Sequence, residues 1–419
     1  MKYFKDNKNP TVNELVYWFQ VEFTGLANEM KKSNHSAADS EPNPYHIEDQ
    51  IWAHTMMVCQ RAEIDDVPKI TKISALLHDI GKPLAREEIP FEAKKPAFSE
   101  SNEIRNEGKH SVLKRKVPKS GVKCHFRGHE GLSAHLSIEP LRNLLNLGVI
   151  NEKEMENTLR IISMHGSLFD NISEDDEMKK PNKVFEKFQK DEVELFEAFI
   201  SQVKCDSLGR FFVSKDGRKN NAYRLGSEIF TKEQFLEFHN GEKENFQNIK
   251  NTDRPYIEVL IGVPGSGKST YLANKVYTPE NAPVVISRDN ELMKYADNNN
   301  IEGTYSEIWK KLTDEDQKNV DKELEKTFNN TFKQKRNMVV DMTNMSNKAQ
   351  RKWTNKVNAP KLYSSIATIF ATSYDEVYRR LEKREKETGK AIHNFVIKNM
   401  MKGFMVPNYS NFEKITYIF

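Results

Sequence analysis

The stretch Tyr256-Ile-Glu-Val-Leu-Ile261, followed by Gly262-Val-Pro-Gly-Ser-Gly-Lys-Ser269, decides the fold of the second half of this chain. The octapeptide matches the pattern G-x-x-x-x-G-K-[ST] at every fixed position, and the apolar run before it predicts a buried strand that leads into the turn. Turns of this kind close backbone N–H groups around phosphate oxygens at the start of a helix. The complete motif in this setting predicts a nucleoside triphosphate site rather than a glycine-rich turn without a ligand.

Each side chain of this loop has an expected task. Lys268 is predicted to reach the β- and γ-phosphates and to act in catalysis, and the Ser269 hydroxyl is predicted to reach Mg²⁺. ATP and Mg²⁺ are therefore the cofactors expected for this half of the chain. The predicted nucleotide-binding residues are Gly262, Pro264, Gly265, Ser266, Gly267, Lys268, Ser269 and Thr270.

Length and composition bound the rest of the chain. A chain of 419 residues is too long for one ordinary hydrophobic core, which predicts two domains, or three. Lys+Arg 64 nearly balances Asp+Glu 61, so the net charge of +3 neither indicates nor excludes nucleic acid as a partner. Three widely separated cysteines fit no disulfide framework and favour a reducing compartment. With no secretory h-region and no membrane-length apolar stretch, we expect a soluble, cytoplasmic protein without a membrane partner.

The two halves of the chain differ in pattern. Nine of the eleven histidines precede residue 166, and apolar residues in that half recur at helical spacing, as in Val12-Leu15-Val16-Phe19. From about Pro255, short apolar runs alternate with helical segments, which predicts a parallel sheet covered on both faces. We therefore expect an α-helical domain over 1–215, a connecting segment over 216–252 and an α/β domain over 253–419.

The dipeptide His78-Asp79 ends an apolar run in the helical half. An adjacent imidazole and carboxylate at a helix end can both bind one cation, and a carboxylate can bridge two cations. His54 lies on a preceding predicted helix, and Asp206 follows much further along the chain.

These positions resemble the H…HD…D signature of the HD phosphohydrolase superfamily, and the segments around them are similar to the HD domains attached to bacterial tRNA nucleotidyltransferases. His129 and His165 are similar to the extra histidines of superfamily members that hold two metals. The resemblance implies two divalent transition-metal ions such as Mn²⁺, with Asp79 bridging and catalytic. The alternative is a set of unrelated histidines on helix surfaces. The implied metal ligands are His54, His78, Asp79 and Asp206 for one ion and His129 and His165 for the other, with Lys82 and Arg210 as substrate-binding residues.

Three further elements follow the phosphate-binding loop. The run Val284-Val-Ile-Ser287-Arg288-Asp289 ends in an acid, and Asp289 is the candidate general base because phosphoryl transfer to an alcohol needs a carboxylate to accept the proton. Asp341 ends a second run, where it would assist Mg²⁺ and contact substrate with Thr343 and Asn344, or anchor a loop through them. Arg380 and Arg384 share a helix face, which suits either a catalytic clamp on the triphosphate or a solvated surface.

This set resembles the 5′-hydroxyl polynucleotide kinases over about residues 255–419. That family commonly carries an Arg three residues after the catalytic Asp to grip the acceptor, whereas this chain has Leu292 there. The acceptor grip must then come from elsewhere, with Arg288 and Lys294 as candidates.

The two resemblances together describe the bifunctional HD-domain polynucleotide kinases, which heal nucleic-acid ends. They imply an all-α HD domain followed by an α/β P-loop kinase with a mostly parallel sheet. RNA or DNA ends, ATP and a separate ligase are the implied partners, with a 3′-phosphate or a 2′,3′-cyclic phosphate as the substrate of the HD half. Two alternatives remain: an enzyme of nucleotide metabolism that acts on free nucleosides or nucleotides, and a P-loop switch regulated by a non-catalytic HD nucleotide sensor.

Overall fold

In a computed structural model, the chain divides into two compact units, Met1–Gly241 and Glu242–Phe419. The structure describes residues 3–6, 8–37, 43, 46, 48–92, 106–107, 110–111, 120–167, 182–210, 230–241, 254–278, 281–357, 359, 362–388, 391–407, 409 and 411–419. The predicted connecting segment 216–252 lies largely outside these residues. Its residues 232–241 form a helix that belongs to the first unit.

The first unit is helical, as predicted. Its helices are α1 (Val12–Glu22), α2 (Thr24–Lys32), α3 (Ile51–Ile64), α4 (Lys69–Leu77), α5 (Lys82–Ala85), α6 (His129–Asn146), α7 (Glu152–Met164), α8 (Asn182–Phe185), α9 (Val193–Leu208) and α10 (Lys232–Gly241), with a 3₁₀ turn at His165–Ser167. The expectation of an all-α unit needs one correction, because two short antiparallel strand pairs are also present. These pairs are β1 (Glu87–Glu92) with β4 (Ser120–His125), and β2 (Asn106–Glu107) with β3 (His110–Ser111). Charged residues in β1 hide the alternation that identifies a strand.

Helix α4 is the central element of this unit. Every residue from Thr71 to Leu77 is buried, and the helix packs against α3, α7 and α9. The buried set includes the polar residues Thr71, Lys72 and Ser74, so the helix is enclosed on its polar side as well as on its apolar side. Its end therefore places His78 and Asp79 inside the unit instead of at the surface.

The second unit is built on a five-stranded sheet in the order β6-β7-β5-β8-β9, and all of its pairings are parallel, as predicted. Parallel neighbours require crossover connections, and helices supply them here. The elements in chain order are β5 (Tyr256–Ile261), α11 (Lys268–Asn274), β6 (Val284–Ile286), α12 (Arg288–Asn298), α13 (Tyr305–Lys311), α14 (Asp314–Lys333), β7 (Met338–Asp341), α15 (Asn347–Lys356), β8 (Ser364–Phe370), α16 (Tyr374–Thr388), α17 (Asn394–Lys402) and β9 (Lys414–Ile418).

The central strand β5 carries one buried acid, Glu258. The Tyr271 and Thr368 hydroxyls donate to Glu258 Oε1 at 2.6 and 2.7 Å, and Lys275 Nζ donates to Oε2 at 2.9 Å. These donors offset the cost of burying a carboxylate within an otherwise apolar strand. The strand can therefore stay in the middle of the sheet and deliver the phosphate-binding loop to its carboxyl edge.

Strands β5, β6 and β7 end at the same edge of the sheet. In an open parallel sheet, ligands bind beyond the carboxyl ends of the strands, because the loops there converge. The loop Gly262–Ser269, Asp289 and Asp341 all follow or end these three neighbouring strands. Among helices in the described part of the chain, none combines the length and apolar character that crossing a bilayer requires.

Candidate active sites

The first unit brings four of the predicted ligands together in its interior. His54 projects from α3, His78 and Asp79 follow α4, and Asp206 lies near the end of α9. His54 Nε2 lies 3.2 Å from Asp206 Oδ1 and 3.5 Å from Asp79 Oδ2, and His78 Nε2 lies 3.2 Å from Asp79 Oδ2. One ligand atom each from His54, His78 and Asp206 falls within 4.8 Å of the others. The spacing is compact enough for a single cation.

A second group uses the other oxygen of Asp79. His129 Nε2 lies 3.4 Å and His165 Nε2 lies 3.7 Å from Asp79 Oδ1, and the two Nε2 atoms are 3.1 Å apart. These three residues also have ligand atoms within 4.8 Å of one another. Asp79 therefore presents Oδ2 to one group and Oδ1 to the other, which is the arrangement that a bridging carboxylate needs.

Backbone carbonyls orient three of the imidazoles. The Nδ1 atoms of His78, His129 and His165 lie 2.9, 2.9 and 2.7 Å from the carbonyls of Ala75, Phe126 and Ile162. A donated Nδ1–H leaves the Nε2 lone pair pointing at the carboxylates, and metal-binding histidines are commonly oriented in this way. Within the described residues, His78 Nε2 is buried and makes no hydrogen bond. The donor set therefore fits a pair of divalent transition-metal ions.

The charge states in this cluster also suit cations. Burial raises the pKa of Asp79, but the charges of His78 and Lys82 outweigh it and hold that pKa well below its usual range. Burial, with the charges of His129 and His78, lowers the pKa of His165 to about 4. At neutral pH the carboxylate is thus ionised and the His165 imidazole is neutral, which are the forms that bind metals.

Three residues beside this cluster were not predicted as its members. Glu48 Oε1 lies 3.1 Å from His54 Nδ1 and 3.0 Å from His46 Nδ1, and the His46 ring stacks on His35 with centroids 3.9 Å apart. Glu48 precedes α3 outside any helical repeat, so periodicity could not single it out. The short segment His46-Ile-Glu48, rich in potential ligands just before His54, was the available signal.

Both predicted substrate-binding residues of this unit lie near the cluster. Lys82 is buried, with Nζ 2.7 Å from Asp79 Oδ2 and 3.1 Å from His35 Nε2. The charge of Arg210 acts on Asp206 and His46, where it contributes to lowering both pKa values after the larger effects of burial and nearer groups. Substrate contact by Lys82 and Arg210 stays a prediction.

The phosphate-binding loop has the backbone that its glycines allow. Gly265 and Gly267 adopt φ of 82° and 101°, a region that favours glycine, and α11 begins directly after them. Lys268 Nζ donates to the carbonyls of Gly262 and Val263 at 2.8 and 3.0 Å, so the side chain folds back over the loop. Burial lowers the pKa of Lys268 to about 8, against the opposing effect of Asp341 and Asp289. The cation therefore lies in the combined field of both predicted acids.

The segment after β7 holds the loop in place. The Gly262 N–H donates to the Thr343 carbonyl at 3.0 Å, and Asn344 Nδ2 donates to the Leu260 carbonyl at 2.9 Å. Asn344 is buried and has a φ of 46°, which Asn tolerates better than most residues. Through these bonds Thr343 and Asn344 anchor the phosphate-binding loop, which is one of the two roles that the sequence suggested for this segment. Contact of either residue, or of Asp341, with substrate stays a prediction.

Helix α16 lies over the phosphate-binding loop. Arg380 Nη1 donates to the Gly265 carbonyl at 3.4 Å, and Glu376 holds Arg380 Nε at 2.6 Å. The charge of Arg384 acts on Lys268 and on Tyr305, so it too faces this end of the sheet. Both arginines thus lie near the loop, and a catalytic clamp formed by them stays a prediction.

At the acceptor side, Asp289 is engaged by an aromatic residue. The Tyr305 hydroxyl donates to Asp289 Oδ1 at 2.7 Å. Leu292 is fully buried in a cluster of apolar residues and faces the core, and Lys294 pairs with Glu291 at 2.9 Å on its own helix. The position that holds an Arg in the polynucleotide kinases is thus a packing position in this chain.

Comparisons with known proteins bear on the second unit. Residues 257–407 match the model of the family described as AAA domain, a range that includes the phosphate-binding loop and α16 but less than half of the chain. No curated protein matches this chain. A chain of the solved "Structure of the Pnkp1/Rnl/Hen1 RNA repair complex" is similar at 24% identity and a TM-score of 0.29, over 37% of this chain and 45% of that chain. That likeness spans under half of the other chain.

Proposed function

We propose that this chain is a bifunctional enzyme that heals nucleic-acid ends. In this proposal the second unit phosphorylates 5′-hydroxyl ends of RNA or DNA with ATP, and the first unit, an HD-type phosphohydrolase, removes a 3′-phosphate or opens a 2′,3′-cyclic phosphate. The observation that carries the kinase is the position of the phosphate-binding loop, Asp289 and Asp341, which follow or end three neighbouring strands at the carboxyl edge of one parallel sheet.

The kinase step follows from these positions. Asp289 accepts the proton of the acceptor hydroxyl, whose oxygen forms a bond to the γ-phosphorus while the bond to the ADP oxygen breaks. Lys268, Arg380 and Arg384 place positive charge on the triphosphate as negative charge moves to the leaving group. Ser269, with Asp341, would hold Mg²⁺, which supplies further neutralisation of the phosphates.

The hydrolase follows from the two faces of Asp79. His54, His78, Asp79 and Asp206 would hold one divalent transition-metal ion such as Mn²⁺, and His129 and His165 with Asp79 would hold the other. Such ions supply positive charge to the phosphoryl oxygens and lower the pKa of water that attacks phosphorus. Lys82 keeps the Asp79 carboxylate ionised and in place through its 2.7 Å ion pair.

One observation favours a second candidate acceptor. The polynucleotide kinases commonly carry an Arg at this position to bind the acceptor phosphate, whereas this chain has the buried Leu292. The lack of that Arg favours a free nucleoside or nucleotide as acceptor. The two candidates differ in which acceptor is phosphorylated at low concentration.

The test offers full-length protein ATP and a 5′-hydroxyl oligonucleotide with a 2′,3′-cyclic phosphate, in RNA and DNA forms, and resolves both ends. We expect 5′-phosphorylation with ATP and opening or removal of the 3′ phosphate with Mn²⁺. Parallel reactions contain free nucleosides as the only acceptor. Faster phosphorylation of the nucleosides than of the oligonucleotide would contradict the end-healing proposal in favour of nucleotide metabolism.

A further inference from the structure

An aromatic pair on α13 stands beside the proposed general base. The Tyr305 hydroxyl that donates to Asp289 belongs to a ring whose centroid is 6.2 Å from that of Trp309, with the planes inclined by 22°. Trp309 remains 43% exposed. The indole therefore offers open aromatic surface one helical turn from Tyr305, the residue that contacts the proposed general base Asp289.

A cation also contacts the indole. The guanidinium carbon of Arg288 lies 5.1 Å from the Trp309 ring centroid, within the range of a cation–π contact. Arg288 is itself fixed, because its Nε donates to Asp321 Oδ1 and its Nη2 donates to Gln317 Oε1, both at 2.7 Å. Trp309 is thus exposed and at the same time restrained, so little side-chain entropy is lost when a ligand covers it.

Packing under α13 sets this arrangement. Ile308 is buried in the same cluster as Leu292, Ala296, Leu312 and Val320, and Tyr305 packs against that cluster. Leu292 therefore helps to seat α13 against α12, which carries Asp289. Leu292, at the position where the polynucleotide kinases commonly carry an Arg, thus belongs to the packing that supports the aromatic pair.

We propose that Trp309 is the stacking platform for an unpaired nucleobase at the 5′ end of the polynucleotide acceptor, with Tyr305 linking that platform to Asp289. This deepens the proposed kinase function and rests on it. Every nucleobase has an aromatic face, so stacking grips a strand end without reading its sequence. Arg288 is committed to Asp321, Gln317 and the indole, and it serves as a positioning residue for the platform.

The test compares two acceptors and three variants in the full-length chain. The acceptors are 5′-hydroxyl oligonucleotides that differ only in whether the 5′-terminal nucleotide carries a base or is abasic. For the wild type we expect the KM of the abasic acceptor to be higher by roughly 5- to 150-fold, the range that base–aromatic stacking corresponds to. Trp309→Ala should raise the KM of the base-bearing acceptor by a similar factor, leave the KM of ATP unchanged, and abolish the difference between acceptors.

Two further measurements complete the test. Trp309→Phe keeps an aromatic face and should restore most of the preference for the base-bearing acceptor, and Leu362→Ala, an exposed apolar truncation before β8, should behave as wild type. Equal KM values of the wild type for both acceptors would overturn the platform even if no variant folded. An unaltered preference in Trp309→Ala would overturn it as well. Absence of phosphorylation of any polynucleotide acceptor would instead overturn the proposed kinase function, and the platform with it.

Discussion

At the scale of single residues, the position of Asp289 at the start of α12 makes its carboxylate the expected proton acceptor of the kinase. Asp289→Asn keeps the shape and the hydrogen bond from Tyr305 but removes the base. We expect kcat to fall by about 10²- to 10⁴-fold, with ATP affinity nearly unchanged, because the loop that binds ATP is untouched. Steady-state kinetics and ATP titration measure the two effects separately.

Asp341→Asn tests the competing candidate for the general base, since both acids act on Lys268. If Asp341→Asn lost turnover at unchanged ATP affinity while Asp289→Asn kept most of its activity, the general base would be Asp341.

Glu48 is a residue that the structure adds to the proposed metal-binding group around His54. Its carboxylate lies 3.1 Å from His54 Nδ1, where it would orient the imidazole for a cation on Nε2. Losing such a partner typically costs about 10- to 100-fold in metal affinity or activity. We therefore expect Glu48→Gln to weaken Mn²⁺ binding in a competition titration with a chelator by about that factor.

The matched control is Glu29→Gln, which removes an exposed carboxylate from the same unit. Unchanged Mn²⁺ affinity in Glu48→Gln would show that His54 is oriented without Glu48.

At the scale of elements, the contact between Gly81, in the turn between α4 and α5, and the start of α6 positions both proposed ligand groups. The Gly81 N–H donates to Ser133 Oγ at 2.9 Å, and a Cβ at Gly81 would lie 2.5 Å from Ser133 N and 2.7 Å from the His129 carbonyl. Gly81→Ala must push α6 away and move His129 from Asp79. We expect about 1–3 kcal/mol of destabilisation and a drop from two bound Mn²⁺ ions towards one.

Gly25→Ala supplies the comparison, because a Cβ at Gly25, inside α2, meets nothing within 4 Å. This change should stabilise the chain by about 0.5–1 kcal/mol through helix propensity and leave the metal content unchanged. Thermal unfolding and metal analysis of both variants provide the readouts. A Gly81→Ala protein with wild-type stability and two ions would contradict the role given to this contact.

At the scale of the whole molecule, the two proposed sites lie in different compact units. Lys268→Ala should abolish 5′-phosphorylation while metal-dependent hydrolysis stays near wild type. The substitution removes the positive charge that acts on the β- and γ-phosphates, and it does so in the second unit alone. Asp79→Ala should do the reverse and release the bound ions. Both ends of one substrate, resolved in one reaction, report the two activities together.

If either variant lost both activities while circular dichroism and thermal unfolding showed a folded protein, the two-site organisation would be wrong. Lys318→Ala, an exposed charge on α14, controls for the loss of a lysine in the second unit.

Local sequence was sufficient for the parallel sheet, the phosphate-binding loop and the helical character of the first unit. Each depends on residues within one strand, turn or helix, where alternation, glycine torsions and helical spacing act over a few positions. The antiparallel pair of β1 and β4 was missed because charged residues in β1 hide the alternation that identifies a strand.

Only tertiary structure decided how the sites are assembled. The two oxygens of Asp79 face separate groups because α4 is surrounded by α3, α7 and α9, and that packing depends on contacts between residues far apart in the chain. Glu48 reaches His54 across a loop, and Tyr305 reaches Asp289 because Leu292 and Ile308 pack in one core. The sequence by itself determined which chemical groups are present and on which elements, whereas long-range burial of apolar surface determined which of them meet.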